Sequence, residues 1–306
     1  MDHIKVNNLL YKTVGFMNCD SSFYKSLLNS NYEKKSFDDD TLNFLENSYY
    51  SEYLNLMFTD KSSRVEIFSK KVNYQIGIEK RENDVILSCI DLYIFNNSNN
   101  NTKTLIFSIT YKPTDFSLGE ISNISNDLKN HNCEISYNSK KLLLIEFISQ
   151  HLFFGKKISG TNTSLEQYSG SRFKNYLVLD FDDISIDRNQ LLYELGTSSM
   201  LGTIKNSTIH APSDSYVNYI LENKISCFKN YECLTLLNSF TVIGTNNYEV
   251  NHVHTHTTWN DIYFSIYIFN LYVKSSFQVI LNDFTSDAMV KRKEFQEFYN
   301  KYYFRK

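Results

Sequence analysis

The stretch VNYQIGIEKRENDVILSCIDLYIFN, Val72 to Asn96, decides the fold. Tyr74, Ile76 and Ile78 alternate with polar neighbours, the polar turn KREND follows, and Ile86, Ser88 and Ile90 then oppose Leu87, Cys89 and Asp91. A period of two is the pattern of a pleated strand, and two such runs around a polar turn make a hairpin. The strand-like pattern reaches from Arg64 to Tyr111. DLYIFN runs into the Asn-rich NNSNNNTK, a surface loop, and TLIFSITY resumes with Leu105, Phe107, Ile109 and Tyr111 on one face.

Helical signals flank this block. Leu42, Leu45, Tyr49, Tyr53 and Leu56 recur at helical spacing within Phe37 to Phe58, after SFDDD, which places Asp at an N-cap and first turn. SNISNDLKN predicts a short helix, while the apolar run KKLLLIEFISQHLFF fits a buried strand or a helix. SGTNTSLEQYSGSR, Ser159 to Arg172, is polar and rich in Gly and Ser, the composition of a loop or boundary. YLVLDFDDIS then reads as a strand ending in carboxylates, and DRNQLLYELG as a helix with Gly196 as its C-cap.

From Trp259 a helix shows apolar residues on several sides: Ile262, Ile266, Phe269 and Val273 on one, Phe264, Tyr267 and Leu271 on another. Such a helix needs neighbours on several sides. A last helix starts at Ser286 or Asp287 and carries Phe295, Phe298, Tyr299 and Tyr302 as an amphipathic stripe. No Gly, Asn or Pro follows to stop it, which predicts a continuation past Lys306. The expected architecture is an α/β domain with a mixed sheet over residues 1–256, then a helical stalk over 257–306.

Composition narrows the function classes. The 31 basic and 34 acidic residues give a net charge of −3, so no global field draws in nucleic acid and any anion site is local. Five cysteines form no C-x-x-C pair and the N-terminus lacks the apolar run of a signal peptide, which points to a reducing compartment. The longest apolar run, Ile262 to Val273, is short of the roughly 20 residues a spanning helix needs. At this length the chain can bury a core without a metal, so no cofactor is required.

Three clusters bear on chemistry. Lys156, Lys157, Thr161, Thr163, Arg172 and Lys174 surround the polar loop, where cations, hydroxyls and backbone amides suit a phosphate; the same residues also suit a solvated linker. His252, His254 and His256, at spacing two, would share one strand face and could hold zinc, nickel or copper, yet no Cys or carboxylate stands at a familiar ligand spacing. Asp180, Asp182 and Asp183 end a strand, a position suited to a divalent cation and a phosphodiesterase, and equally to capping the next helix. G-x-S-x-G, H-E-x-x-H and G-x-G-x-x-G are absent, which favours a non-enzymatic protein.

Three stretches in order, CIDLYIFNN…TLIFSITY, LVLDFDDISIDRNQLLYELGTSS…NKISCFKNYECLTLLNSFTVIG and KEFQEFYNKYYFRK, resemble the cytoplasmic part of CorA-like membrane proteins, notably divergent bacterial effectors of type III CRISPR antiviral defence. The family's Gly-Met-Asn pore signature is absent here. The resemblance implies a stalk helix leading to a membrane segment outside this chain, a homo-oligomer, five subunits in that family, and a place on the cytoplasmic face of the inner membrane. It also implies a nucleotide messenger, a cyclic oligoadenylate or an adenylated S-adenosylmethionine, as the ligand. The alternative from the residues alone is a soluble metal-dependent phosphodiesterase built on Asp180 to Asp183.

Overall fold

The computed structural model of the protein describes residues 3–36, 65–79, 81, 83–96, 103–114, 117–155, 172–182, 187–205, 211–228, 231–245, 255–282, 289–290, 292–293 and 295–296. The helix expected within 37–58, most of the closing helix and the 159–171 loop lie outside these residues.

Among the described residues, eleven strands form one mixed sheet. In chain order they are β1 (Val6–Cys19), β2 (Glu33–Lys34), β3 (Val65–Ile78), β4 (Asp84–Phe95), β5 (Lys103–Pro113), β6 (Glu134–Tyr137), β7 (Lys140–Leu143), β8 (Lys174–Phe181), β9 (Lys224–Phe228), β10 (Tyr231–Leu236) and β11 (Ser239–Thr245). The order across the sheet is β7-β6-β3-β4-β5-β1-β8-β11-β10-β9, with β2 added beside β3. β8 and β11 run parallel, and the other recorded pairs are antiparallel.

The expected β3–β4–β5 meander is present, with one change of phase. Relative to β5, β4 holds one extra residue at Ser88, a β-bulge between Leu87 and Cys89. A one-residue insertion moves every later side chain to the opposite face. Ile90, Leu92 and Ile94 therefore join Leu87 in one core, and Asp91 and Tyr93 turn to the other face, so the strict alternation expected of Ile86, Ser88 and Ile90 does not hold. The bulge is what directs Asp91 into the second core.

One face of the sheet is covered by α2 (Leu118–Leu128), α3 (Leu144–Phe147) and α4 (Arg188–Gly196), following the short α1 (Ser21–Leu28). Ser117 caps α2, accepting from the Glu120 amide, and Asp187 caps α4, accepting from the Asn189 and Gln190 amides. The run that fitted strand or helix is both: Lys140–Leu143 is β7, and helix α3 continues as a π turn over Ile148–Leu152. Asn138 and Ser139, both at positive φ, make the two-residue turn between β6 and β7.

Gly196 is the last residue of α4 and Thr197 its C-cap; the positive φ falls on Ser198. The glycine is needed for another reason. A Cβ at residue 196 would come within 2.5 Å of Leu234, so its absence lets α4 lie close on β10.

The other face is covered by a π-helical segment, Thr255–Tyr263, and then α6 (Phe264–Asn282); α5 (Asp214–Leu221) precedes β9. Trp259, Ile262, Phe264, Ile268 and Tyr272 form one core with Val14, Tyr93, Phe95, Tyr176 and Val242 of the sheet. Burying one such large side chain contributes about 2 kcal/mol, so this face is anchored by apolar area. Residues 259–272 thus share a hydrophobic core with the strands, so the first part of the expected 257–306 stalk belongs to the α/β domain, and no long C-terminal stalk is seen among the described residues. Among the described residues no helix is long and apolar enough to cross a membrane.

Candidate functional site

Lys174 opens strand β8, Arg172 stands two residues before it, and the fold brings a turn with two further basic residues beside Arg172. Asn130 and Arg172 form an isolated antiparallel bridge, and the Phe173 amide donates to the Lys129 carbonyl oxygen at 2.7 Å. The turn after α2 therefore runs beside the start of β8, carrying Lys129 and His131 with it. The His131 ring packs on Phe173, centroids 4.3 Å apart.

Buried Asn175 fixes this corner. It donates to the Ser125 carbonyl oxygen at 3.2 Å and to Ser198 Oγ at 2.6 Å, and it accepts from the Tyr11 hydroxyl at 3.4 Å. Ser198, held at positive φ, in turn accepts from Lys129 Nζ at 2.6 Å through its carbonyl oxygen. An ammonium has three N–H donors, so this bond leaves Lys129 capacity for a ligand oxygen. Lys174, on the opposite face of β8 from Asn175, donates to Asn238 Oδ1 at 2.5 Å in the β10–β11 turn.

Burial is the largest cause of each shift at this corner, and neighbouring cations come second. Burial pushes the Lys174 ammonium down to about 8, and Lys274 of α6 adds repulsion. Burial pushes His131 down to about 4, with Lys174 contributing. Lys129 is lowered by burial and then by Arg172. Arg172 is exposed. Lys129 and Arg172 repel each other, and an anion between them would relieve that repulsion.

Of the sequence candidates for this site, Arg172 is exposed beside the 129–131 turn and Lys174 is buried against Asn238, while Lys156, Lys157, Thr161 and Thr163 lie outside the described residues. Lys129 and His131 carry no local signal: each is a single basic residue after a helix, and only the long-range bridge places them here.

The carboxylates at the end of β8 are committed to β1. Asp180 accepts from the Asn8 amide at 3.0 Å and from its side-chain nitrogen at 3.0 and 3.2 Å, and Asp182 accepts from Asn7 at 2.8 Å. Asp187 caps α4, and Asp183 lies outside the described residues. His252 and His254 lie outside them too; His256 falls in the π-helical segment. Among the described residues no group of three His, Cys, Asp or Glu side chains is arranged to hold a metal ion.

A second charged assembly lies under α6. Asp91 accepts from Ser69 Oγ at 2.8 Å through Oδ1, and from Lys12 Nζ at 3.3 Å and Ser108 Oγ at 3.4 Å through Oδ2. The register sets Asp91 opposite both serines, so one polar row crosses β3, β4 and β5 to reach Lys12 on β1. Burial pushes Asp91 upward, but Lys12 and Lys35 with these hydrogen bonds outweigh it and hold the carboxyl below its ordinary range. Lys35 is likewise opposed by burial and raised on balance by Asp91 and Asp261. Cys89, beside this row, is raised by burial and by Asp91, which makes it a poor nucleophile.

No protein-family model, curated protein or solved structure matches the chain.

Proposed function

We propose that this chain is a non-enzymatic sensor, the cytoplasmic domain of a CorA-like membrane effector in antiphage defence, in which a nucleotide messenger docks its phosphates where Lys129 meets Arg172, with Lys174 adding its charge from the other face of β8. One observation carries the binding part: the turn after α2 is bridged to the start of β8, which sets Lys129 beside Arg172 from a distant segment of the chain. Arginine and lysine suit phosphate by charge-assisted hydrogen bonds, and the preceding Lys156, Lys157, Thr161 and Thr163 supply further groups of the same chemistry. A cyclic oligoadenylate or an adenylated S-adenosylmethionine has the phosphates this chemistry recognises.

The membrane part rests on the resemblance and on the C-terminal pattern. Met289, Val290 and Phe295 are exposed apolar residues in the terminal segment, the kind of surface that a stalk buries in a homo-oligomer such as a pentamer. The residues after α6 would lead toward a membrane segment and place the domain on the cytoplasmic face of the inner membrane.

The rival class, a phosphodiesterase with a divalent cation at Asp180, Asp182 and Asp183, would have to draw Asp180 and Asp182 away from Asn8 and Asn7. Incubating the protein with labelled nucleotides plus magnesium or manganese separates the two. Retention of intact nucleotide is the expected result; turnover that disappears in Asp182→Ala would replace the sensor with the enzyme.

A further inference from the structure

Strand β3 pairs with β4 along one edge, but its other edge is occupied only at the two ends. At one end Glu33 and Lys34 of β2 pair with Ser69 and Phe68, and the Lys35 amide donates to the Ile67 carbonyl oxygen at 2.9 Å. At the other, Ser136 and Ile135 of β6 pair with Gly77 and Ile78, and the Glu79 amide donates to the Glu134 carbonyl oxygen at 3.0 Å. Between them, Lys71 to Gln75 pair with no strand on that side among the described residues. β3 keeps its phase across the gap, since Phe68, Val72, Tyr74 and Ile76 all face the same core. Backbone groups point to alternate edges along a strand, so Lys71, Asn73 and Gln75 aim theirs as Ile67 and Glu79 do, into the gap. All three residues are exposed.

The two ends of the sheet offer no such template. β7 is four residues long with Lys140 and Lys141 exposed, and β9 is five residues long. Short strands and lysines blunt an edge, whereas the gap lies within a strand of 14 residues and holds one lysine, Lys71.

The surroundings of the gap define the chemistry of its occupant. On the side of α3, the Tyr74 ring meets Tyr137 at 5.8 Å and His151 at 6.3 Å, and at the β2 end Phe154 meets Tyr32 at 6.3 Å. Phe154 is 45% exposed and held at φ 55°, a backbone conformation rare for a bulky residue. On the opposite face Lys71, Asn73 and Gln75 are polar, and the Lys71 ammonium meets no carboxylate among the described residues. Along β2 and residues 69–75, Lys34, Lys70 and Lys71 outnumber the one acid, Glu33, so the gap favours an acidic occupant. A second copy of this chain cannot lay its own 14-residue β3 there, because β2 and β6 stand in the way.

We propose that the gap in β3 is a peptide-docking slot, filled by an extended acidic segment of a partner protein that adds as a short strand between β2 and β6. Backbone bonds to Lys71, Asn73 and Gln75 would supply affinity. Alternate side chains would supply specificity, apolar ones toward Tyr74 and His151 and a carboxylate toward Lys71. Its occupation requires no anion at the basic corner.

A yeast-displayed library of random peptides about nine residues long, enough to span the gap, is selected for binding to the parent protein, and the recovered peptides are synthesised. Enrichment of sequences that alternate apolar and acidic residues is expected. N-methylation of alternate peptide amides, which removes backbone donors and keeps every side chain, should weaken binding about tenfold or more. Asn73→Pro removes a donor from the slot at an edge where proline is tolerated, and should weaken binding similarly with the melting temperature unchanged. Lys71→Glu should lower affinity for the acidic peptides and restore it for the same peptides with lysine in place of glutamate. No enrichment, or binding that either N-methylation or Lys71→Glu leaves unchanged, would overturn the slot. Sedimentation of the parent alone tests the other occupant: self-association abolished by Asn73→Pro would put a second copy at this edge and overturn the partner peptide.

Discussion

The two faces of the sheet share the same strands and differ in what crosses them. On the face under α2, α3 and α4, sheet residues such as Leu87, Ile90, Phe107 and Leu177 meet aliphatic and aromatic partners, and the polar ones, Thr13 and Asn175, are neutral. On the face under α6, Lys12, Asp91 and Lys174 bring full charges into the interior. Apolar contact is insensitive to ligands and pH, whereas buried charge responds to both. The first face therefore serves as scaffold, its buried ionisable groups Glu194 and His131 lying on the covering segments, and the second, with charge on the strands themselves, as the responsive surface.

Removing one charge breaks the responsive face most severely. Asp91→Ala strands the Lys12 ammonium in the interior and is expected to cost about 3–5 kcal/mol in urea unfolding. The double replacement Lys12→Met with Asp91→Leu removes both charges and is expected to recover most of that loss. A double variant as unstable as Asp91→Ala would show that the polar row has a packing role beyond its charges.

On the scaffold face the matching break is steric. A Cβ at Gly15 would lie 2.3 Å from the Phe107 ring, which is itself wedged against Phe153 and Phe173. Gly15→Ala is expected to cost about 3 kcal/mol by overpacking, independent of pH. An unchanged melting temperature would mean that the Phe107 ring is free to move aside.

Acid sharpens the comparison. His131, held near 4 in the folded protein, takes up a proton more readily when unfolded. Its contribution is complete above the ordinary histidine range and is lost as pH falls from about 6.5 toward 4, on the order of 2 kcal/mol. His131→Phe should flatten this part of the stability profile; a slope that persists would assign it to other groups. In the alkaline direction, Lys174 loses its proton near 8, so anion affinity should weaken as pH rises through that value. A flat binding profile up to pH 9 would remove Lys174 from the site.

The smallest expected effect belongs to the Lys35–Asp261 pair, whose side chains keep about a quarter of their exposure, 24% and 23%. Asp261→Asn should cost less than about 1 kcal/mol, and the loss should shrink further in high salt.

The scaffold was largely legible in the sequence, because β3, β4 and β5 are consecutive and obey a period of two. Strand β1 shows no clear period of two although it sits between β5 and β8. Asn7, Asn8, Lys12 and Thr13 break its apolar pattern, and their partners Asp182, Asp180, Asp91 and Tyr111 are far away in the chain. The bulge at Ser88 is equally silent in a periodicity count, yet it decides which face receives Asp91. Half of the basic corner was legible for a similar reason. Arg172 and Lys174 stand beside a visible polar loop, while Lys129 and His131 arrive through a bridge that no local pattern encodes.

The most direct test is calorimetric titration of a cyclic oligoadenylate and of an adenylated S-adenosylmethionine into the parent protein, Arg172→Ala and Lys129→Ala at pH 7. One of the two nucleotides should bind the parent and lose about tenfold or more in affinity in each variant, with melting temperatures unchanged, as befits lost charge-assisted bonds to phosphate. Equal affinity in all three proteins, or no heat with either nucleotide, would contradict a phosphate site at this corner.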